Sequence, residues 1–519
     1  MQERPTMAPQ PSPSRPATPA GPPSAAAYRM LWRWHFYAGL FVMPWLIVLA
    51  VTGTLYCFQP QIEPLLYPEL LRVAPGPARL PAQALLERAR AAAPAGATAT
   101  TYTVNSAPAA SAEFVFRLAS GKSESLYLDP YTGDYLGSLS VEDRLMKQVR
   151  RLHRALMLGK PGELLMELAA CWTLVMIATG LAMWWPHWRE RGAAALRLGR
   201  GSGARGRWKA LHRFLGAWLA LGALVFVLSG LPWTASWGRQ FKALATAADL
   251  GAPRKGAPPR SLPPGGMAAA PGEAAAMPGH EGHAERAEHA EHEGHGGHGD
   301  HQAAAAAPAA TMESLPLADV PWAAGLAPVP SGQAPRVPSP PADLDRVVAA
   351  IAARGIAGGY QLVLPNSPSG VFTASVYPAD PTGERTLHLD QYGGQVLRDT
   401  GYRDYGPVAK AISYGTSLHM GRYFGLANQI LCAAISLGLM ALAVSGLLMW
   451  LKRRRAGTLG APALPRAVPP MRAWAVGLGL LGLVFPLMGA TLVAVWGLDR
   501  LVIARAGRQH GPAGTLRAD

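Results

Sequence analysis

Residues 33–58 read RWHFYAGLFVMPWLIVLAVTGTLYCF. The stretch opens with basic and aromatic residues and continues as an apolar run that is long enough to cross a hydrocarbon core of about 30 Å. His35 lies at the start of the run, and the pair Thr52-Gly53 follows it by seventeen residues. This stretch therefore predicts a membrane helix that carries a histidine at one end.

Five such runs explain the composition of the chain, which has 519 residues, half of them hydrophobic and only 15% charged. The first run is longer than the apolar core of a signal peptide, about 7–15 residues, and ends without a small-x-small cleavage site, so we expect it to be retained. The predicted spans are Phe36–Phe58, Leu164–Trp185, Leu215–Trp237, Ile430–Leu451 and Ala473–Trp496.

Basic residues concentrate in short loops and account for much of the net charge of +16. The loop over residues 188–210 is rich in arginine, and Lys452-Arg453-Arg454-Arg455 follows the fourth span. Short basic loops stay on the cytoplasmic side. We therefore expect a multi-pass protein of the bacterial inner membrane, with a cytoplasmic N-terminus and periplasmic segments after spans one and three. This placement of charge argues against nucleic-acid binding.

The spans repeat in two templates. The first places a glycine four residues and a hydroxyl–glycine pair seventeen residues after a histidine; it occurs at His35, Gly39 and Thr52-Gly53, and again at His212, Gly216 and Ser229-Gly230. The second places a glycine 6, a hydroxyl–glycine pair 26 and a Met-Trp pair 30 residues after a Leu-His pair; it occurs at His153, Gly159, Thr179-Gly180 and Met183-Trp184, and again at His419, Gly425, Ser445-Gly446 and Met449-Trp450. These offsets indicate an internal tandem duplication.

The segments between the spans repeat as well. Residues 81–93 and 342–354 are amphipathic and predict short helices, and short β-rich stretches follow each of them. The sequences LDPYTG at 128–133 and LDQYGG at 389–394 then predict a strand, a turn and a strand. The sequence thus predicts an all-α membrane bundle of five transmembrane helices with two periplasmic α+β modules.

The expected order of segments follows from these boundaries. It is a disordered cytoplasmic tail (1–29), the first span (30–58), periplasmic module 1 (59–140), an interfacial helix with the second span (141–187), a basic cytoplasmic loop (188–210), the third span (211–237), a disordered histidine-rich periplasmic linker (238–340), module 2 (341–405), an interfacial segment with the fourth span (406–451), a second basic cytoplasmic loop (452–471), the fifth span (472–498) and a tail (499–519).

Four histidines occupy symmetric positions in this arrangement. A parallel repeat has its pseudo-two-fold axis along the membrane normal. It would place His35 opposite His212 near the cytoplasmic face, and His153 opposite His419 near the outer face. Neutral histidine is an axial ligand of haem, and nearby glycines would let a flat macrocycle approach the backbone. The pairs thus predict two bis-histidine b-type haems. The alternative is that each imidazole caps a helix or bonds a carbonyl at the interface.

Other motifs limit this interpretation. Cys57, Cys171 and Cys432 all fall in predicted spans without a CxxC or CxxCH motif, which argues against disulfides, a zinc knuckle and covalent haem. His187 also lies at a cytoplasmic helix end without a repeat partner, and it remains open as a substitute ligand. The GxGxxG sequence at 477–482 lies inside an apolar run, so it does not predict a dinucleotide site.

A histidine-rich tract lies in the linker before module 2. Seven imidazoles within 22 residues, interleaved with acidic residues, predict a flexible metal-collecting loop for a divalent ion such as Zn²⁺, Cu²⁺ or Ni²⁺. A neutral low-complexity linker is the alternative. The predicted metal-binding residues are His280, His283, His289, His292, His295, His298 and His301.

The chain resembles the PepSY-associated transmembrane proteins over about residues 28–455. The similar features are Arg33–Gly39, Thr52-Gly53, the turn at 128–133 and the stretch from Leu418-His419 to Gly425. That family includes iron-regulated membrane proteins and inner-membrane ferric-siderophore reductases. The resemblance implies that the two modules are PepSY-like and, in the reductase branch, that histidines at positions 35, 153, 212 and 419 hold b-type haem.

The resulting hypothesis is an inner-membrane di-haem electron-transfer protein, a haem-dependent oxidoreductase that reduces a periplasmic ferric-siderophore or another metal complex. Its expected partners are membrane lipid, that metal complex and an external electron donor, either quinol or a cytoplasmic reductase. The sequence predicts no catalytic side chain. One alternative is a non-redox PepSY membrane protein for metal binding, homeostasis or regulation, and another is a transporter subunit.

Overall fold

The computed structural model describes residues 25–199, 201–251, 311–325, 327–330, 342–454, 459–462 and 471–509. They divide into two compact units. The helical unit comprises the described residues up to Gln59, Gln148–Lys242 and those from Leu418 onward, and the sheet unit comprises Pro60–Lys147 and Ala243–Ser417. The seven histidines of the predicted metal-collecting tract, residues 1–24 of the predicted tail and residues 510–519 lie outside the described ranges.

The described helices, in chain order, are α1 (Ala25–Cys57), α2 (Gln59–Leu66), α3 (Pro68–Leu71), α4 (Ala82–Ala92), α5 (Leu145–Ala155), α6 (Lys160–Arg191), α7 (Gly203–Gly230), α8 (Trp237–Ala247), α9 (Leu344–Ala352), α10 (Pro407–His419), α11 (Leu426–Leu451), α12 (Arg472–Val484) and α13 (Pro486–Gln509). The strands are β1 (Thr98–Val104), β2 (Ala112–Arg117), β3 (Ser123–Leu128), β4 (Tyr135–Ser140), β5 (Tyr360–Val363), β6 (Val371–Val376), β7 (Arg385–Asp390) and β8 (Val396–Gly401).

Four helices of the helical unit are long and apolar enough to cross a membrane: α1, α6, α7 and α11. They contain most of the first four predicted spans. Helix α1 packs against α6 and α11, and α7 packs against the same two helices. Because long apolar helices satisfy all their backbone hydrogen bonds internally, this is the arrangement that lipid permits.

The predicted fifth span, Ala473–Trp496, is two helices in the structure rather than one. Helix α12 ends at Val484 and α13 begins at Pro486. Proline lacks an N–H group and disfavours the helical conformation in the residue before it, and Phe485 accordingly has φ −119° and ψ 83°. Within the described residues, therefore, four helices and not five meet the requirements for a span.

A close glycine contact holds these two short helices together. A Cβ atom on Gly489 would lie 2.6 Å from the carbonyl oxygen of Gly482, so neither helix has room for a larger residue here. Gly482 is the last glycine of the GxGxxG sequence, which lies within α12. The motif therefore serves helix packing, as small residues do in membrane proteins.

The sheet unit contains one antiparallel sheet of eight strands in the order β4-β3-β2-β1-β5-β6-β7-β8. Each predicted module supplies four consecutive strands, and the two sets join where β1 pairs with β5. The prediction of two modules therefore needs a refinement, because they share a single sheet. The pairing satisfies backbone groups of β1 and β5 that would be exposed at the edge of each separate module.

Helices α4 and α9 cover one face of this sheet and bury its core. Leu85 of α4 and Val347 of α9 are almost fully buried in a cluster with Phe114 and Leu387 of the strands. The two helices also cap each other, since the Ala82 amide donates to Asp345 Oδ1 (2.5 Å) and the Leu344 amide donates to Gln83 Oε1 (3.2 Å). These are amide groups that a helix start leaves without internal partners.

Both predicted strand–turn–strand sequences form hairpins. Asp129 Oδ1 accepts the Tyr131 amide at 2.8 Å, and Asp390 Oδ2 accepts the Tyr392 amide at 3.0 Å. Gly133 and Gly394 then take φ values of +77° and +69°, which glycine adopts without a steric penalty. The turn chemistry read from the sequence therefore matches the structure.

Candidate functional site

The structure brings His35 of α1 and His212 of α7 together. Their ring centres lie 6.2 Å apart, and the rings are nearly perpendicular, at 88°. Both side chains are partly buried. Two imidazoles that approach edge to edge without a shared protein partner between them leave space for a group that both can contact.

His153 of α5 and His419 of α10 also lie near each other. Burial lowers the pKa of His153 to about 3, and the nearby His419 lowers it further. Burial lowers the pKa of His419 to about 4. Both imidazoles are therefore neutral at physiological pH, which is the form of histidine that binds a metal ion. The pairs expected from the repeat are thus neighbours in the structure.

Each of the four histidines contacts a hydroxyl on another helix through Nδ1. The hydroxyls belong to the hydroxyl–glycine pairs of the two templates. The contacts are His35 to Thr179 (3.0 Å), His153 to Thr52 (2.9 Å), His212 to Ser445 (2.9 Å) and His419 to Ser229 (2.8 Å).

The direction of these hydrogen bonds fixes the tautomer of the histidines. Each hydroxyl donates its single hydrogen to a carbonyl one turn earlier in its own helix: Val48, Val175, Val225 and Leu442. Its oxygen is then left to accept, so Nδ1 of the imidazole carries the proton. His212 shows this directly, because its Nδ1 also lies 3.2 Å from the Leu442 carbonyl oxygen, which can only accept.

Nε2 of each imidazole is consequently unprotonated and carries a lone pair. A partner that holds the other ring nitrogen and fixes the ring orientation is the usual second-shell support of a metal-bound histidine. The four histidines share this support, and the sequence analysis did not predict it. The recurrence of a hydroxyl beside each glycine was the signal that pointed to it.

The glycines after these hydroxyls lie against the histidine rings. A Cβ atom on Gly53 would stand 3.3 Å from His153 Cε1, and one on Gly180 would stand 3.3 Å from His35 Cε1. Gly230 and Gly446 face His419 and His212 at 3.6 and 3.5 Å in the same way. These glycines therefore give the imidazole, rather than a macrocycle, its access to the neighbouring helix.

The glycines nearest the histidines in sequence fall into two groups. Gly159 and Gly425 have φ values of +64° and +57° and directly precede α6 and α11, so they turn the chain between two helices. The expectation that they admit a macrocycle was wrong in this respect. Gly39 differs, since a Cβ atom there would meet no atom within 4 Å. Open space thus lies one helical turn from His35.

The two histidine pairs lie toward opposite ends of α1. His35 is on α1 itself, and Thr52, which contacts His153, is seventeen residues further along the same helix. A rise of 1.5 Å per residue separates these two positions by about 25 Å. That is most of the thickness of a hydrocarbon core.

Two further histidines have other surroundings. His187 lines an open pocket with Tyr28 and Arg29, and it lies eight residues beyond Thr179 on α6, about 12 Å further along the axis. His388 lies on β7 with its Nδ1 3.0 Å from Thr373 Oγ1, and burial followed by the charge of Arg398 lowers its pKa to about 4. With an exposed fraction of 2%, His388 is part of the packed sheet.

A buried charge pair lies on the sheet, and the sequence analysis did not predict it. Arg144 donates to Glu113, and it donates to Ser125 Oγ and Tyr127 Oη at 2.5 Å each. Burial alone would raise the pKa of Glu113, but the charge and hydrogen bonds of Arg144, with those of Ser125 and Tyr127, lower it overall. The pair is therefore ionised and contributes to the stability of the sheet.

Four candidate spans in one unit and an eight-stranded antiparallel sheet in the other define an integral membrane protein with an α+β part. A family model described as the PepSY-associated TM region matches residues 32–453. The chain therefore belongs to the PepSY-associated transmembrane proteins, as its motifs indicated. No curated protein matches the chain.

Proposed function

We propose that the chain is a di-haem electron-transfer protein of the bacterial inner membrane. The observation that carries the proposal is the arrangement shared by the four histidines, in which a hydroxyl on another helix accepts from Nδ1 and leaves Nε2 free. One such arrangement is compatible with a structural histidine. Four of them, grouped as two pairs toward opposite ends of α1, favour two cofactor sites.

The residues fit a haem held by two imidazoles. Two imidazoles that share one metal ion, with metal–nitrogen bonds of about 2 Å, hold their ring centres about 6 Å apart. The separation between His35 and His212 is 6.2 Å. The open space beside Gly39 further supports the presence of a flat group on the same side. His153 and His419 would hold the second haem in the same way.

The bound haem supplies one-electron chemistry, and the histidines decide how it is used. Two imidazoles occupy both axial positions, which favours electron transfer over oxygen binding. Each Nδ1–H bond to a hydroxyl keeps its ring neutral and oriented. Helix α1 spaces the two sites by about 25 Å, so that one lies toward each face of a bilayer. An electron would therefore enter at one face and leave at the other.

The direction of transfer follows from the charge of the loops. The short basic loops place His35 and His212 toward the cytoplasm, with the N-terminus, and the internal duplication places the sheet unit in the periplasm. The electron donor is quinol or a cytoplasmic reductase, and the acceptor is a periplasmic ferric-siderophore or another metal complex. Reduction to Fe²⁺ weakens the hold of oxygen-rich ligands on iron.

An absorption spectrum tests this proposal. Membranes from haem-replete cells that overproduce the chain are expected to show Soret and α bands of b-type haem, which sharpen after addition of dithionite. The purified protein should carry two haems per chain. A colourless preparation from such cells would exclude the di-haem function.

The histidine-rich tract favours one other function, a role in metal binding or homeostasis without redox chemistry. Seven imidazoles between residues 280 and 301 form a flexible ligand set for a divalent ion. We expect deletion of 280–301 to reduce the Zn²⁺ or Cu²⁺ retained by the purified chain and to leave the haem spectrum unchanged. Metal retention in a haem-free protein would favour this second function over the first.

Replacement of Thr52 with valine tests the hydroxyl support of one site. Valine keeps the shape of threonine but removes the oxygen that accepts from His153 Nδ1. Loss of such a partner typically weakens metal binding about 10–100-fold. The transfer of haem to a scavenging apoprotein should therefore become faster for about half of the bound haem.

Thr54 provides a matched control on the same helix. Its hydroxyl donates to the Ala50 carbonyl at 2.8 Å. Thr54→Val removes the same atom from the same helix two residues away, and it should leave haem transfer at the wild-type rate. Equal effects of the two substitutions would mean that a general disturbance of α1, and not support of His153, explains the result.

A further inference from the structure

Two cysteines from different helices meet beside His419. Cys57 is the last residue of α1 and Cys432 lies in α11, and their exposed fractions are 5% and 3%. The sulfur atoms of both lie 3.8 Å from the same atom, the carbonyl oxygen of His419. The two thiols also hydrogen-bond each other. The sequence gives no sign of this contact, because the cysteines belong to opposite ends of the chain.

The thiols support the end of α10 that carries His419. The last carbonyl groups of a helix have no partner within it. Cys432 Sγ lies 3.2 Å from the Leu418 carbonyl oxygen, and Asn428 Nδ2 donates to the same oxygen at 3.0 Å. Cys57 and Cys432 add donors to the His419 carbonyl. The S–H groups are therefore part of the cap of this helix end.

The repeat shows that this cysteine pair is specific to one site. The offset between His153 and His419 relates Cys432 to Met166, and the offset between His35 and His212 relates Cys57 to Thr234. The site of His153 therefore has a thioether and a hydroxyl where the site of His419 has two thiols. The bundle does not need cysteine at these positions, which favours a chemical role for the pair.

We propose that Cys57 and Cys432 are a redox-active pair that closes to a disulfide beside His419. Two S–H bonds break and one S–S bond forms. Two electrons and two protons pass to an external acceptor of the disulfide or quinone class. The bond length of about 2.05 Å lies within reach of side-chain rotation from the hydrogen-bonded thiols. The disulfide joins the end of α1 to α11.

Oxidation changes the support of His419. A disulfide has no S–H group, so the carbonyls of Leu418 and His419 lose the thiol donors that cap the helix. Asn428 then remains as a donor to Leu418. The state of the thiol pair is thereby coupled to the position of a histidine in the candidate site. The pair forms or fails to form a disulfide whether or not haem is bound, so its test is separate from the test of the proposed function.

Thiol counting on the full chain in detergent tests the pair. The protein is treated with diamide, quenched, denatured and labelled with a maleimide polymer that shifts the band once per free thiol. The chain contains three cysteines, so the wild type should take three labels before oxidation and one afterwards. Cys171→Ser, the matched control, should go from two labels to none. Cys57→Ser and Cys432→Ser should each keep two.

Mass spectrometry of the oxidised wild-type chain identifies the bond directly, so the result does not depend on how a variant folds. A peptide that joins residues 57 and 432 confirms the proposal. Three free thiols after diamide treatment, a bridge that includes Cys171 or a cross-link between two chains would each overturn it.

Discussion

His35→Ala is expected to remove about half of the haem and to leave the other half bound. The substitution deletes one of the two imidazoles that face each other at 6.2 Å, so His212 retains only a single bond to iron. The second pair lies about 25 Å further along α1. Its histidines have their own hydroxyl partners on other helices. The measurement is haem per chain by the pyridine haemochrome assay.

His153→Ala should cause the same loss at the other site, and the double variant should be nearly free of haem. His187→Ala is the control, because His187 lies in a cytoplasmic-end pocket beyond the hydroxyl that contacts His35. It should retain both haems. Loss of both haems, or of neither, from a single variant would contradict two independent pairs. Loss of one haem from the His187 variant would make that residue a ligand.

The four spans and the histidine positions were predictable because membrane helices follow strong sequence rules. An apolar run of about 20 residues has few folded alternatives. The fifth run shows where the rule stops. Its length and composition resemble those of the others, but Pro486 interrupts the backbone hydrogen bonds and the chain turns between α12 and α13. A proline within a predicted span therefore needs its own interpretation.

The hydroxyl contacts were not predictable because they cross between the two templates. Thr52 belongs to the template of His35, but it contacts His153, and Thr179 belongs to the template of His153 but contacts His35. Sequence offsets give positions along one helix. The neighbour of each helix is set by packing, here of α1 against α6 and α11. A tertiary arrangement was needed to assign each hydroxyl to its histidine.

The sheet shows a similar division. Hairpin sequences with Asp and Gly predicted the turns, because local hydrogen bonds determine them. The pairing of β1 with β5 connects strands far apart in the chain, and no local pattern indicates it. The same holds for Glu113 and Arg144, since their contact depends on the register of β2 and β3, which places Glu113 opposite Tyr127.

Arg144→Met is expected to destabilise the sheet unit by about 3–5 kcal/mol, since it leaves Glu113 as an unpaired buried charge. Methionine keeps much of the volume of arginine, so the effect reports mainly on charge and hydrogen bonds. Ser125 and Tyr127 also lose their donor. The measurement is the free energy of unfolding from denaturant titration of the full chain, with hydrogen exchange of the β2–β3 peptides to localise the change.

The dependence on pH gives the prediction its sign. Arg144 holds the pKa of Glu113 below its usual value. The wild type therefore gains stability from this carboxylate above the pKa of unfolded glutamate, about 4.3, and loses it as the pH falls toward the folded value. In the variant, protonation of Glu113 removes the unpaired charge. The difference in stability between the two proteins should thus be largest at neutral pH and shrink in acid.

Arg403→Met is the matched control in the same unit. Arg403 and Asp404 form an exposed pair with side-chain exposures of 81% and 39%. Exposed pairs contribute about 0–1 kcal/mol because water and salt screen them. The control variant should therefore unfold almost as the wild type does. If Arg144→Met had an equally small effect, or one independent of pH, the charge pair would not stabilise the sheet. The difference between the two arginines rests on burial, which the sequence alone does not reveal.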